Sequence, residues 1–361
     1  LPNFELSKGI GMRMKTQTTH ISPTASCEIK YSPAALLIDQ FGRSFNYLRI
    51  AINENCNLRC IYCMPEKGIA SDKLKNTMNP NEISRILKVS SELGVNKVRF
   101  TGGEPLMHPH IISLIEMASR TPRIESVHLT TNAVFLKKMV KELKQAGLQG
   151  INISIDTLDM RKYLKMTRRN TLSQAIEGLE AAISIGIPSI KINVVVLRGF
   201  NDSEFKDFAE LTREHSITVR FIELMPFDAQ QIWKTGKFMS AQHIKQSLKQ
   251  YFPNISPADG SRTEHTVYKI PGYKGKIAVI PAFSRSLCGQ CNRIRITADG
   301  KIRNCLFARD ENNILGLMQR GGTDDDMKTM LVDTMWKKAY DGWEAQNSGI
   351  ETRNSMAQIG G

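Results

Sequence analysis

Between residues 47 and 226 the hydrophobic positions come in two alternating kinds of run. Short β-branched stretches at 48–52 (LRIAI), 97–101 (KVRFT), 126–131 (SVHLTT), 150–156 (GINISID), 189–197 (SIKINVVVL) and 218–224 (TVRFIEL) read as strands. Between them, 82–94, 137–147, 172–186 and 203–215 space their apolar residues as amphipathic helices do. Such alternation predicts an α/β fold with a parallel sheet covered by helices. Six strand–helix units fall two short of a closed eight-fold barrel. An incomplete (βα)6 barrel of TIM type, or an open sheet, is therefore expected, with its active site at the C-terminal strand ends.

After Pro226 the alternation is expected to stop. Residues 227–310 mix a helix, Gly- and Pro-rich turns and a cysteine group, 324 to about 340 reads as helix, and the rest is irregular as far as Gly360 and Gly361. Residues 1–40 lack a period and hold few acids, with Lys8, Arg13, Lys15 and Lys30 set amid Ser and Thr. They read as a flexible leader, which suits an organelle-targeting remnant and an unstructured terminus equally. Three segments result: the leader at 1–40, the barrel at 41–226 and a C-terminal extension at 227–361. No stretch approaches the roughly 20 apolar residues that a membrane-spanning helix needs.

Composition narrows the chemistry. With 361 residues, 41% of them hydrophobic, the chain can bury a large core. Its net charge of +14 favours anions, and nucleic acid, anionic lipid and nucleotides all qualify. Position says more than charge. Arg49, Arg99, Lys191 and Arg220 each interrupt a strand that otherwise reads as buried, and an interior cation is costly unless an anion meets it. A ligand is implied. A basic metal-binding module for nucleic acid would instead carry exposed cations and stacking rings, and aromatics make up only 7% of this chain.

Six of the seven cysteines fall into two groups, with Cys27 apart. Cys56, Cys60 and Cys63 follow the first strand as CNLRCIYC, and three thiolates on a four-iron cube leave one iron open to a small molecule. Zinc would want a fourth Cys or His, which this loop lacks. Cys288 and Cys291 form a CxxC pair completed by Cys305, where a second iron–sulfur centre, a zinc ribbon and a redox dithiol all remain open. At the end of the second strand, Thr101-Gly-Gly-Glu104-Pro105 offers a close backbone approach beside a carboxylate able to accept from an ammonium.

CxxxCxxC followed one unit later by GGEP resembles the radical S-adenosylmethionine superfamily. More narrowly, Phe41-Gly-Arg43, CNLRCIYCMP (56–65), KVRFTGGEPL (97–106), LTTN (129–132), NISIDTL (152–158), RFIELMPFD (220–228), CGQCNRIRITADGKIRNCLF (288–307) and the final Gly-Gly are similar to the GTP 3′,8-cyclase family of molybdenum cofactor biosynthesis. The resemblance covers about residues 40–361. It implies a radical SAM partial barrel with two 4Fe–4S clusters, on Cys56, Cys60 and Cys63 and on Cys288, Cys291 and Cys305. It assigns S-adenosylmethionine to Tyr62, Gly103, Glu104, Ser154 and Met225. It assigns GTP to Arg49, Lys97, Arg99, Thr130, Lys191, Arg220, Arg293, Ile294 and Arg295, with Arg293 and Arg295 also catalytic.

The implied reaction is reductive cleavage of S-adenosylmethionine to a 5′-deoxyadenosyl radical. That radical takes the 3′ hydrogen of GTP, and C3′ then closes on guanine C8. An electron donor, a downstream cyclic pyranopterin monophosphate synthase and a homodimer are the implied partners, in the mitochondrial matrix or, alternatively, the cytoplasm. No nucleic acid or membrane span is implied. A peptide-modifying radical enzyme with an auxiliary cluster is the alternative; it would not need the strand-end cations. Two departures stand out: Ala133 follows Thr-Thr-Asn where the family has Gly, and Arg353-Asn-Ser-Met356 stands where it reads Asn-Arg-Pro-Met. Residues 340–350 match nothing in the family pattern. The terminal glycines are expected to thread into the barrel mouth.

Overall fold

A computed structural model of the chain describes residues 36–69, 77–225, 232–260, 265–347, 353 and 355–359, all within the compact unit that begins at Ala34. The expectations for the leader up to residue 35, for Cys27 and for Gly360 and Gly361 lie outside these residues.

The six anticipated strands are present as β1 (Tyr47–Ala51), β2 (Lys97–Thr101), β3 (Ser126–Thr131), β4 (Gly150–Ser154), β5 (Ser189–Val196) and β6 (Thr218–Glu223), parallel and paired in chain order. The crossovers hold α1 (Pro80–Glu92), α2 (Ile111–Arg120), α3 (Leu136–Gln145), α4 (Met160–Thr167), α5 (Leu172–Ser184) and α6 (Phe205–Glu210). Helix α1 starts where Asn79 and Glu82 form a reciprocal capping box with Pro80 in the first turn. Helix α6 is shorter than 203–215 because its continuation is captured by a neighbouring turn. Thr212 sends its amide and hydroxyl back to Ala209, and the carbonyls of Thr212 and Arg213 accept from Gly275 and Lys274.

The alternation continues past Pro226, contrary to the sequence reading. Helix α7 (Ala241–Tyr251) leads through the antiparallel β7 (Ser256–Pro257) and β8 (Thr266–Lys269) into β9 (Lys276–Ile280), which is parallel to β6. At the opposite edge β10 (Arg293–Ile296) is parallel to β1 and is followed by antiparallel β11 (Lys301–Arg303) and β12 (Asn312–Asn313). The sheet order is β12-β11-β10-β1-β2-β3-β4-β5-β6-β9-β8-β7. The barrel thus gains one parallel strand at each edge of the six expected, and among the described residues its two edges do not pair with each other. The anticipated boundary at 226–227 falls between strands of this one sheet.

The remaining helices are α8 (Ile314–Gln319), α9 (Asp324–Trp336) and α10 (Gly342–Asn347). Helix α9 opens with a Thr323–Asp326 capping box and three aspartates in its first turn, which suit the positive end of the helix dipole. It stops at Trp336, short of 340, where Arg43 takes the carbonyls of Ala339 and Tyr340 at 2.7 Å each.

Alternation along the strands sorts the side chains into two layers. On β5, Ile190, Ile192, Val194 and Val196 are buried, and the same parity puts Leu48, Ile50, Val98 and Phe100 into one continuous core. That face meets the helices, and each such side chain contributes roughly 1.5–3 kcal/mol. The other face lines the lumen.

Candidate active site

The lumen is polar. Its strand positions include Arg49, Lys97, Arg99, His128, Lys191, Arg220, Arg293 and Arg295, and the strand positions that share their parity hold no Asp or Glu, although Glu223 at the end of β6 also borders the cavity. Register concentrates the charge. Arg49 is the partner of Arg295 on one side and of Arg99 on the other, and Arg99 is the partner of His128. Tyr47 helps to hold like charges together: Lys97 Nζ, Arg99 Cζ and Arg49 Cζ stand 4.8, 5.1 and 5.3 Å from its ring centroid. Arg220 gives Nε and Nη2 to Asn193 Oδ1 at 2.8 and 2.6 Å. His128 fits only because residue 150 is glycine, since a Cβ there would lie 2.1 Å from its Nδ1. Burial and the neighbouring Arg49 and Arg293 press the Arg295 guanidinium well below its ordinary pKa. The site is built to receive negative charge.

At the C-terminal end of the strands stand Cys56, Cys60 and Cys63. Burial pushes Cys56 up to about 11 and Cys63 to about 12, and raises Cys60 as well, with Cys63 and Cys56 each adding to its shift. Gly103 lets its backbone pass this loop, since a Cβ there would lie 2.2 Å from the Asn55 carbonyl. Glu104 is buried, which pushes it up to about 7 against three bonds that favour its anion: from the amides of Leu106 (3.0 Å) and Asn132 (2.7 Å) and the hydroxyl of Thr131 (2.7 Å). A carboxylate offers about four acceptor positions, so one remains for an incoming donor. Asp156, pushed up to about 6 by burial, accepts from Tyr62 Oη (2.7 Å) and the Val195 amide (2.8 Å).

Cys288 and Cys291 lie on the segment 281–292, which carries the chain from the β9 edge to the β10 edge. Cys291 stands just before β10, and the adjacent Asn292 carbonyl accepts the amide of Tyr47 at the start of β1 (3.2 Å). Cys305 follows β11, which runs against β10 and so returns to the same end. This triad therefore occupies the N-terminal end of the parallel strands, and the expectation of a site at the C-terminal ends covers only half of what is found. Burial raises Cys291, but Arg293 and Lys338 more than reverse this and bring it down to about 6, a thiolate at neutral pH. Arg43 fixes the triad's entry through the Cys288 carbonyl (3.0 Å) and is itself held by Asp39 at 2.6 Å.

Both triads line one cavity of about 320 Å³. With them line Tyr62, Gly103, Glu104, Ser154, Met225, Arg49, Arg99, Thr130, Arg220, Arg293 and Arg295. Lys97 and Lys191 occupy lumen positions without lining that cavity, and Ile294 is fully buried in the helix-facing core, so only its backbone is available. Among the described residues no three His, Cys, Asp or Glu close on a single metal ion. Three thiols on one loop, with no fourth Cys or His, are the donor set of a four-iron cube with one open iron and not of a closed zinc site. Sequence reasoning missed Tyr47, Asp156, Arg285 and Lys338. Asp156 had a signal, as the polar end of an otherwise apolar strand run.

Residues 50–212 match the Radical SAM superfamily profile and residues 217–342 the Molybdenum Cofactor Synthesis C profile. The chain is 40% identical over 326 residues to the GTP 3′,8-cyclase of Chlorobaculum tepidum, covering 90% of this chain and 97% of that one. It is 37% identical over 325 residues to Molybdenum cofactor biosynthesis protein 1 of Homo sapiens, covering 90% of this chain and 50% of that one. Among solved structures, Streptococcus suis SuiB bound to the precursor peptide SuiA superposes with a TM-score of 0.59 at 15% identity, over 88% of this chain and 70% of that one. Native anSMEcpe with bound AdoMet gives 0.57 at 14% identity, over 83% and 82%. At such identities the likeness is one of fold.

Proposed function

The chain belongs to the GTP 3′,8-cyclase family of radical SAM enzymes, and from that premise we propose that it converts GTP to (8S)-3′,8-cyclo-7,8-dihydroguanosine 5′-triphosphate. The observation that carries the reading is the cationic lumen set between two cysteine triads on one cavity. A triphosphate answers that charge, and arginines in register grip its oxygens bidentately.

Members of the superfamily use S-adenosylmethionine with a 4Fe–4S cluster, which supply the 5′-deoxyadenosyl radical when bound. Cys56, Cys60 and Cys63 would hold that cluster, and Cys288, Cys291 and Cys305 a second one that orients the base. Glu104 would take the ammonium of the cofactor on its remaining acceptor position, while Tyr62, Gly103, Ser154 and Met225 line its seat. Arg49, Arg99, Arg220, Arg293 and Arg295 would hold the phosphates, with Lys97, Thr130, Lys191 and the backbone of Ile294 as neighbours. The segment 281–292, which crosses between the sheet edges and lines the cavity, would shield the reacting carbon from water. The stretch 1–40, whose four Lys and Arg stand amid Ser and Thr with few acids, suits a mitochondrial-matrix location, and fractionation would separate this from a cytoplasmic one. An electron donor, a cyclic pyranopterin monophosphate synthase and a second copy of the chain are the proposed partners.

Anaerobic reconstitution tests the whole. About eight irons per chain are expected, with cyclised GTP formed alongside 5′-deoxyadenosine. Production of 5′-deoxyadenosine with GTP left intact, under conditions where a peptide is modified, would reject the substrate.

A further inference from the structure

Arg285 is a buried cation to which the reaction assigns no task. It lies on the segment between β9 and β10, and its carbonyl accepts the amide of Cys288 at 3.1 Å. Its backbone sits at φ 55°, a left-handed conformation that costs an arginine roughly 1–2 kcal/mol. Its side chain is nonetheless held fast and the residue is only 5% exposed. The guanidinium Cζ packs 3.6 Å from the Phe307 ring centroid and 3.8 Å from that of Trp343. Gly342 closes the seat, since a Cβ there would lie 2.7 Å from Phe307 and 2.9 Å from Arg285 Cδ.

Rings packed on a guanidinium leave its hydrogens to act in its own plane. Nη2 donates to Gln346 Oε1 at 2.6 Å, whereas Nε and Nη1 are buried with no hydrogen-bond partner among the described residues. Unmet buried donors cost about 1–3 kcal/mol each, and the backbone strain adds to that. Neither serves stability. Arg285 lines the cavity, and Cys305, Cys288 and Asp341 are the neighbours that favour its charge, the two cysteines being those of the triad. A four-iron core with three thiolates is itself an anion, and hydrogen bonds to its sulfurs tune its reduction potential.

We propose that Arg285 donates its free N–H groups to sulfur of the cluster held by Cys288, Cys291 and Cys305, and that its charge holds the reduction potential of that cluster up. The inference rests on the second cluster of the proposed function. The same contacts give α10 a purpose: it supplies Trp343, Gln346 and Gly342, which seat the arginine, while residues 348–350 lie outside the described residues.

The test is an EPR-monitored redox titration of the full reconstituted chain, wild type against Arg285→Gly and Arg285→Lys. Glycine accepts the left-handed backbone, so the first variant removes the cation and relieves the strain together. The second-cluster potential should fall in Arg285→Gly and fall less in Arg285→Lys, with the first cluster unmoved. An unchanged potential in a glycine variant that retains about eight irons overturns the proposal. So does weakened GTP binding without a shift, which would give the arginine to the substrate. If the glycine variant loses its second cluster, the lysine variant decides: a lower potential than wild type supports the proposal and an equal one overturns it. About four irons in the wild type would instead reject the second cluster itself, a failure read before any variant is compared.

Discussion

The hydroxyl of Ser355 donates to the carbonyl of Cys63 at 2.8 Å, tying the end of the chain to the first cysteine loop. The Met356 amide donates to the same oxygen at 3.2 Å. Just before this contact Arg353 is gripped by Glu311 (3.0 and 2.8 Å) and Asp299 (2.9 Å), with Glu54 at 3.7 Å. The segment 355–359 is thus a wall of the first triad, locked by one half-buried arginine.

Removing that lock should cost more than one ion pair. Arg353→Met leaves Glu54, Asp299 and Glu311 facing one another, and a loss of about 3 kcal/mol is expected at pH 7 in urea unfolding. Burial raises Glu311, but Arg353 and Arg303 overcome this and hold its pKa below the ordinary 4.5. A depressed carboxylate stabilises the fold above its unfolded value and loses that contribution as pH falls through the folded one. The gap between wild type and variant should therefore narrow below about pH 4.5. A pH-independent gap would mean that the arginine acts by packing alone.

The two triads should be separable. Cys60→Ala leaves two thiolates at the first triad, and both S-adenosylmethionine cleavage and about half the iron should disappear. Cys291→Ala should keep the first cluster and slow, uncoupled 5′-deoxyadenosine formation while GTP conversion ends. Normal cyclisation in the second variant would make that triad structural.

Arg295→Met should stabilise the ligand-free protein. The cation is buried beside Arg49 and Arg293, so its removal relieves both desolvation and repulsion, and thermal melting should shift upward. GTP binding should weaken about tenfold to a hundredfold, the value of one charge-assisted contact. Calorimetry on the same sample reads both; a lower melting temperature with unchanged affinity would contradict the assignment.

Glu104 sets a pH dependence of its own. Burial raises it from 4.5 to about 7, so the folded state holds its proton more tightly than the unfolded chain. Its contribution to stability is full below pH 4.5 and is lost as pH rises to about 7, a fall of about 3 kcal/mol at 1.36 kcal/mol per pH unit. Glu104→Gln should remove that slope, leaving the one due to Asp156. S-adenosylmethionine binding, which needs the carboxylate, should tighten as pH rises through 7 in the wild type and become flat in the variant. Equilibrium dialysis across pH 6–8.5 checks this.

How much was legible depended on how far apart in sequence the cooperating residues lie. The first triad and GGEP could be read because their parts sit within a few residues of one another. The lumen cations could be read because a charge inside an apolar strand is locally anomalous. Strand β9 escaped because the β7–β8 hairpin separates it from α7, and it reveals its place only by pairing with β6. The partners of Arg43 escaped for a similar reason: at 288 and 340 they lie 245 and 297 residues away. Ala133 is instructive in another way. It keeps φ 65° where the family has Gly, so the turn after β3 is fixed by its neighbours strongly enough to impose a left-handed backbone on alanine.

The parity of the strands has a consequence for how such a protein can change. Odd and even positions of one ribbon serve separate masters, the oily shell beneath the helices and the chamber within. Rewriting the chamber alone should redirect what it receives while the shell goes on folding as before. An insertion of a single residue in any central strand would exchange the two at a stroke and forfeit both. Specificity here is free to drift by substitution, but not by slippage.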